Sequence, residues 1–227
     1  MLKNIALIGD IIRIKPHHLP PAKEIVKLIE SRLRSTESVF AMTVGGESGS
    51  GKSTLSLAIE EVLKEMGYSC FIFHMDDYFK LPPKDNHDRR VENIVHVGPE
   101  EVNLELLQQH IDSCKKGTDQ LKKPLVHYRE NKIREVIVEI SDVDVVIAEG
   151  TYVTLLERID CKIFMLRNYQ DTYSDRVKRA RDPIIPFNEE VLKIEHEIVS
   201  KHKKMADILV DNEYGVMAQS EKFLPNT

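Results

Sequence analysis

Eight consecutive residues, Gly46-Glu47-Ser48-Gly49-Ser50-Gly51-Lys52-Ser53, follow the spacing G-x-x-x-x-G-K-[ST], with Thr54 directly after them. Glycines at these places let backbone N–H groups turn inward around phosphate oxygens with no Cβ in the way. A helix beginning at Lys52 points its positive end at the same anion. Lys52 is then placed to reach β- and γ-phosphates, and the Ser53 hydroxyl to ligate Mg²⁺. The chemistry this segment offers is the binding of a nucleoside triphosphate with its metal, over Gly46 to Thr54. A tight turn that merely packs a helix on a sheet is the plainer alternative. The β-prone run before the loop and the amphipathic helix after it argue against that.

Three further clusters could act beside it. Asp76-Asp77-Tyr78-Phe79 follows an apolar run, and ligands of open α/β sheets gather at the carboxyl ends of strands. Asp76 there could take a proton from an acceptor hydroxyl or hold the water shell of the metal. Asp77 reads either as a pocket residue or as a loop cap, and Tyr78 and Phe79 either line an acceptor pocket or pack the loop base. Val145-Val146-Ile147-Ala148-Glu149-Gly150 puts an acid at another strand end, able to hold a metal-bound water or simply to face solvent. Arg176 and Arg179 stand one helical turn apart. Guanidinium forks there could clamp transferring phosphate oxygens. A solvated face is the common fate of such charge runs, but a phosphate loop in the same chain favours the clamp.

The elements that must position these residues are legible in outline. Val39–Val44 is a continuous β-prone run, as expected of a strand buried on both faces. Leu55, Ala58, Ile59, Val62, Leu63 and Met66 recur at helical spacing, and Cys70–His74 supplies a second strand. Val143–Ala148, Lys162–Leu166 and Asp207–Val210 add three more strands, with helices expected over Pro99–Lys116, from about Gln170 to Arg181, and over Glu189–Lys204. Five buried strands alternating with helices predict a three-layer α/β sandwich with a five-stranded, mostly parallel sheet. Lys80–Gly98 is polar and reads as a long loop, while Leu125–Tyr128 and Ile133–Ile140 pair as a small β-hairpin. Before residue 39 the chain reads as an extension over residues 1–38, a hairpin about Ile5–Ile14 and a helix carrying Ile25, Leu28, Ile29 and Leu33. Residues 39–227 then form the main domain.

The 227 residues carry 32 Lys+Arg against 37 Asp+Glu, a net charge of −5, so no global positive field draws a nucleic-acid backbone. No apolar run approaches the ~18–20 residues needed to cross a bilayer. Cys70, Cys114 and Cys161 are odd in number and widely spaced, which suits reduced packing residues in the cytoplasm rather than a disulfide frame or zinc site.

With these segments in hand, the chain resembles the uridine kinase / phosphoribulokinase-like family of P-loop kinases from about Val39 to Val210. Asp76-Asp77-Tyr78-Phe79 matches the family's D-S-F-Y or D-D-Y-Y motif, whose first Asp is the base. Asp144–Gly150 matches its strand-plus-Glu-Gly motif, Arg176–Arg179 its R-V-x-R lid helix, and Lys203–Val210 its tail. Two departures lie on the acceptor side. Val97 stands where uridine kinases have the Asp of F-D-H-P, and Pro124-Leu125-Val126-His127-Tyr128 replaces P-V-Y-D-F, with Asn131 where a later His belongs. The resemblance implies an ATP- and Mg²⁺-dependent kinase acting on the hydroxyl of a small metabolite, nucleoside-like first. Asp76 would be the base, Lys52, Arg176 and Arg179 the charge stabilisers, and Ser53, Glu149 and Asp76 the metal side. Asp77, Tyr78, Phe79, His127, Tyr128 and Arg134 are the candidate acceptor residues, and His127, Tyr128 and Arg134 are equally readable as solvated hairpin residues. Family members often form oligomers, so self-association is an expectation too. The alternative is a nucleotide-dependent regulator that kept ATP and lost its acceptor; an acceptor base and paired arginines favour the enzyme.

Overall fold

The computed structural model describes residues 14–179 and 185–223, with the side chains of residues 178 and 179 left outside the description. The chain enters through α1 (Leu19–Ser35), whose buried Ile25, Ile29 and Leu33 form one helical stripe. β1 (Phe40–Gly46) is buried at every position. After the phosphate loop come α2 (Lys52–Glu65) and β2 (Cys70–His74), a βαβ unit as expected.

Lys80–Gly98 departs from the expectation of a loop. It contains α3 (Pro83–Glu92), which begins at the proline that seemed to break it. Pro is at home in a first helical turn, where its missing N–H has no intrahelical partner in any case. α4 (Leu104–Lys115) is shorter than expected at its N-terminus, because Asn103 caps it by accepting the Leu106 N–H at 3.1 Å. The hairpin is β3 (Gln120–His127) and β4 (Lys132–Glu139), antiparallel in an eight-residue register from Gln120 opposite Glu139 to His127 opposite Lys132. β5 (Val145–Gly150), β6 (Cys161–Met165), α5 (Tyr173–Arg179), α6 (Pro186–Val199) and β7 (Ile208–Val210) follow.

The main sheet has six strands, not five, in the order β2-β5-β1-β6-β7-β8. The sixth, β8 (Val216–Ala218), pairs antiparallel with β7. It is three residues long and only half-buried, so it lacks the apolar run that reveals the other five. The five strands from β2 to β7 are parallel. Their alternating side chains split into two cores. Phe40, Met42 and Val44 face α1 and α2, whereas Ala41 joins Phe73, Val146 and Phe164 against α4 and the hairpin. α1 therefore shares the hydrophobic cluster of the sheet. The hairpin expected about Ile5–Ile14 lies, but for its last residue, outside the described residues.

Parallel pairing brings three strand ends to one edge. Gly45 of β1 sits opposite Gly150 of β5, and His74 of β2 opposite Glu149. The phosphate loop, the Asp76 turn and Glu149 are thus neighbours because of register alone.

Candidate active site

The loop after β1 is built by its backbone. Gly49 and Gly51 lie at φ +80° and +100°, left-handed values that side chains resist. A Cβ on Gly49 would stand 3.2 Å from Thr172 Oγ1 and 3.3 Å from Arg176 Cγ, so the start of α5 closes directly over the loop. Lys52 is buried and its Nζ donates to the Glu47 carbonyl at 2.8 Å, holding the ammonium across the loop mouth. Glu47 is buried and ties the loop to its surroundings. One carboxylate oxygen accepts the Tyr169 N–H at 2.9 Å and the other lies 2.6 Å from His196 Nδ1 on α6. Ser50 Oγ is buried with no hydrogen-bond partner among the described residues. An orphaned hydroxyl in a glycine cradle fits an anionic oxygen supplied by a ligand.

Glu149 is fully enclosed. Its Oε1 lies 2.7 Å from His74 Nδ1, and the Ser53 hydroxyl bonds the same carboxylate. Burial alone would raise its pKa, but the bond to His74, its charge, the Lys52 ammonium and Ser53 hold it below the ordinary carboxylate range. On His74 the bond to Glu149 and the nearby carboxylate charges outweigh burial and raise the imidazole pKa. A hydroxyl backed by an ionised carboxylate is a hard oxygen donor set of the kind Mg²⁺ takes together with phosphate oxygens. The residues therefore fit the metal, with Ser53 as ligand and Glu149 behind it. Among the described residues no group of three His, Cys, Asp or Glu side chains forms a protein-only metal cage.

The short 3₁₀ turn Met75–Tyr78 decides what the next motif can do. Asp76 lines a cavity that also touches Ser48 of the phosphate loop, and Tyr128 donates its hydroxyl hydrogen bond to Asp76 Oδ2 at 3.4 Å. Asp77 points the other way. It is 2% exposed, pairs with Lys123 Nζ at 2.8 Å and accepts the Val126 N–H at 3.0 Å. It is a buried lock between the strand end and β3, not a pocket residue. Tyr78 is likewise turned inward, with its hydroxyl 2.9 Å from His110 Nδ1, while Phe79 lines the cavity. The i, i+1 geometry of this turn cannot show all four side chains to one side.

On the hairpin, Tyr128 faces the cavity, but His127 and Arg134 do not line it. His127 lies 3.8 Å from Glu130, and Arg134 is half-exposed and paired with the same carboxylate on the outer side of the hairpin. The two departures have structural duties here. Val97 is buried. Asn131 clips the hairpin tip to α3 by accepting the Lys84 N–H at 2.7 Å and donating to Asp85 at 2.9 Å.

Arg176 reaches over the phosphate loop with both guanidinium ends on Glu189 of α6, at 2.9 and 3.2 Å, and on the Tyr169 carbonyl at 3.2 Å. The Arg179 side chain lies outside the described residues.

The rest of the cavity is made by residues that the sequence reading did not select. Arg90 and Asn86 of α3, Thr151 after β5, and Glu195 of α6 line it beside the apolar Leu81, Pro83 and Val126. Glu195 carried a signal. It lies four residues from Val191 and from Val199, on the buried stripe of its helix. A carboxylate on an apolar stripe is seldom buried without a reason.

A parallel sheet with a phosphate loop after its central strand, an acid after its neighbour and an arginine helix over the loop defines a P-loop kinase. The comparisons assign it more narrowly: the model of the "Phosphoribulokinase / Uridine kinase family" matches residues 41–182, and the chain belongs to that family. A uridine kinase of Clostridium novyi is 29% identical over 181 residues, 74% of this chain and 84% of its own. A bifunctional alpha-galactosidase/sucrose kinase of Mediterraneibacter gnavus is 23% identical over 82% of this chain, which spans only 21% of that larger protein. Among solved structures, D-glycerate 3-kinase of Cryptococcus neoformans superposes with a TM-score of 0.61 at 16% identity, covering 87% of this chain and 98% of its own. Phosphoribulokinase of Rhodobacter spheroides gives 0.60 at 15% identity, covering 78% and 71%. These likenesses bear on the fold. Among the described residues no helix is long and apolar enough to cross a membrane.

Proposed function

We propose that this chain is an ATP-dependent kinase that transfers the γ-phosphoryl group to a hydroxyl of a small metabolite. The acceptor oxygen bonds to γ-phosphorus as the bond to the ADP oxygen breaks, and the hydroxyl proton passes to the Asp76 carboxylate. Ser53, with Glu149 behind it, would hold the Mg²⁺ that comes with the nucleotide, and that ion would supply charge neutralisation at the phosphates. Lys52 leaves the Glu47 carbonyl for phosphate oxygens, and Arg176 and Arg179 steady the charge on the transferred group. Catalysis of this kind is positioning and electrostatics.

The observation that carries the reading is the shared cavity: Asp76 and Ser48 line the same space, with the base candidate beside the loop that would hold the γ-phosphate. A switch that only binds nucleotide has no use for a carboxylate placed there. Several relatives are named uridine kinases, so a nucleoside is a fitting first acceptor to assay, with sugars beside it. The positions where that family reads the pyrimidine are occupied here by buried Val97 and by Asn131, the clip to α3. The test is Asp76→Asn with ADP release as readout. Turnover should fall by about 10²–10⁴-fold while nucleotide binding persists. Normal turnover in that variant removes Asp76 from the mechanism.

A further inference from the structure

The cavity beside Asp76 contains charges that phosphoryl transfer does not use. Arg90 bonds both oxygens of Glu101, at 2.6 and 2.8 Å, and reaches Glu195 Oε1 at 3.4 Å. Glu101 also accepts from Asn86 Nδ2 and from the Gly98 N–H, each at 3.0 Å, so its lone pairs are well filled. Glu195 is different. It is 8% exposed, lines the cavity, and the long contact to Arg90 is the one hydrogen bond described for it. A carboxylate has room for about four donors, and most of this capacity is open toward the cavity. Burial, opposed by Arg90, raises the Glu195 pKa, which marks how poorly the protein alone solvates it.

The charge balance of the lining narrows what can bind. Among the described residues the lining carries two carboxylates, Asp76 and Glu195, and a single guanidinium, Arg90, already held by Glu101 and Glu195. An anionic acceptor would meet two carboxylates, half-buried Asp76 and buried Glu195, with no uncommitted cation in the described lining to answer it. Hydroxyl groups, by contrast, donate to carboxylates and accept from a guanidinium edge. The space is also small, about 190 Å³, compared with a cavity of ~150 Å³ that holds benzene. One hydroxylated ring or a short chain of that size is accommodated, with Phe79 and Val126 as its apolar wall.

We infer that the acceptor is an uncharged, multiply hydroxylated compound of monosaccharide or sugar-alcohol size, and that Glu195, with Arg90, grips hydroxyls distal to the one Asp76 activates. This deepens the kinase reading and rests on it. The experiment is ADP release by the full chain with ATP and Mg²⁺ against four acceptor classes: neutral monosaccharides and sugar alcohols, sugar phosphates, small hydroxy acids, and pyrimidine nucleosides. The neutral sugars should lead in kcat/KM by about tenfold or more. Glu195→Gln should then raise the KM for that acceptor about ten- to a hundredfold, with the KM for ATP unmoved. A lead for sugar phosphates, hydroxy acids or nucleosides overturns the inference and leaves the kinase standing. An unchanged acceptor KM in Glu195→Gln overturns the role of Glu195. Should that variant not fold, the wild-type ranking still decides the acceptor class. ATP binding with no turnover in any class removes the kinase reading itself, and the inference with it.

Discussion

The two halves of the site are built in opposite ways. On the donor side, residues 46–54 are consecutive, and their work is done by backbone N–H groups and a single helix start. On the acceptor side, Asp76, Arg90, Tyr128, Thr151 and Glu195 come from five separate segments, held together by the sheet, the hairpin and two helices. A site made of consecutive backbone needs only local conformation to exist. One made of distant side chains exists only if tertiary packing holds, and so it can change its ligand residue by residue without disturbing the other half.

The largest expected effect comes from breaking the donor side. Lys52→Ala removes the cation proposed to meet the γ-phosphate, and turnover should fall by about 10²–10³-fold or more with every acceptor alike. Steady-state ADP release against two unlike acceptors checks this. A loss that depended strongly on the acceptor would place Lys52 on the acceptor side and blur the division.

Next is the lock under the acceptor side. Asp77→Ala leaves the Lys123 ammonium buried, 7% exposed, without its carboxylate, and frees the Val126 N–H. Removing one partner of a buried ion pair costs about 3–5 kcal/mol, read as a loss of unfolding free energy in urea. In the folded fraction, acceptor KM should rise because β3 carries Val126 and leads into Tyr128, while ATP affinity holds. Equal damage to both substrates would mean that the two halves are one mechanical unit. Arg134→Ala is the control on the same hairpin: its side chain is half-exposed and outside the cavity, and stability should stay within about 0.5 kcal/mol.

This difference also explains what could be read in the sequence. The phosphate loop, the five parallel strands and Glu149 at its strand end follow from short-range spacing and from uninterrupted apolar runs. Asp76 is legible for the same reason, as the residue just past a strand. Its neighbours Asp77 and Tyr78 are not, because a 3₁₀ turn sends successive side chains in different directions, and composition does not say which. Arg90 was hidden in a stretch whose polarity and two prolines imitate a loop, although Pro83 suits a helix start. Glu195 was hidden by an ordinary helix, and only its position on the stripe between Val191 and Val199 shows that it points inward. The sixth strand escaped because three half-buried residues at a sheet edge, paired on one side, need no hydrophobic pattern.

The smallest effect concerns how the acceptor side is seated on the core. Tyr78 bonds His110 Nδ1 at 2.9 Å, and burial, with the nearby Lys123 charge, holds the His110 pKa below the ordinary histidine value of 6.5. The folded His110 therefore takes up a proton less readily than the unfolded one. Between its folded value and about 6.5 the unfolded chain binds more protons, so stability must rise with pH in that window. Its contribution is complete above about pH 6.5 and is lost as the pH falls through the folded value. His110→Gln should flatten the fall of unfolding free energy as the pH drops below about 6.5. Tyr78→Phe, which removes only the hydroxyl, should cost about 1 kcal/mol at pH 7 and leave ATP affinity unchanged. Identical pH slopes for wild type and His110→Gln would show that folding leaves the His110 pKa unshifted, and the imidazole would play no part in the acid sensitivity. A wild type that instead gains stability over His110→Gln as the pH falls would make the Tyr78 contact a charged donor bond, and the seating of the acceptor side would strengthen with acid instead of weakening.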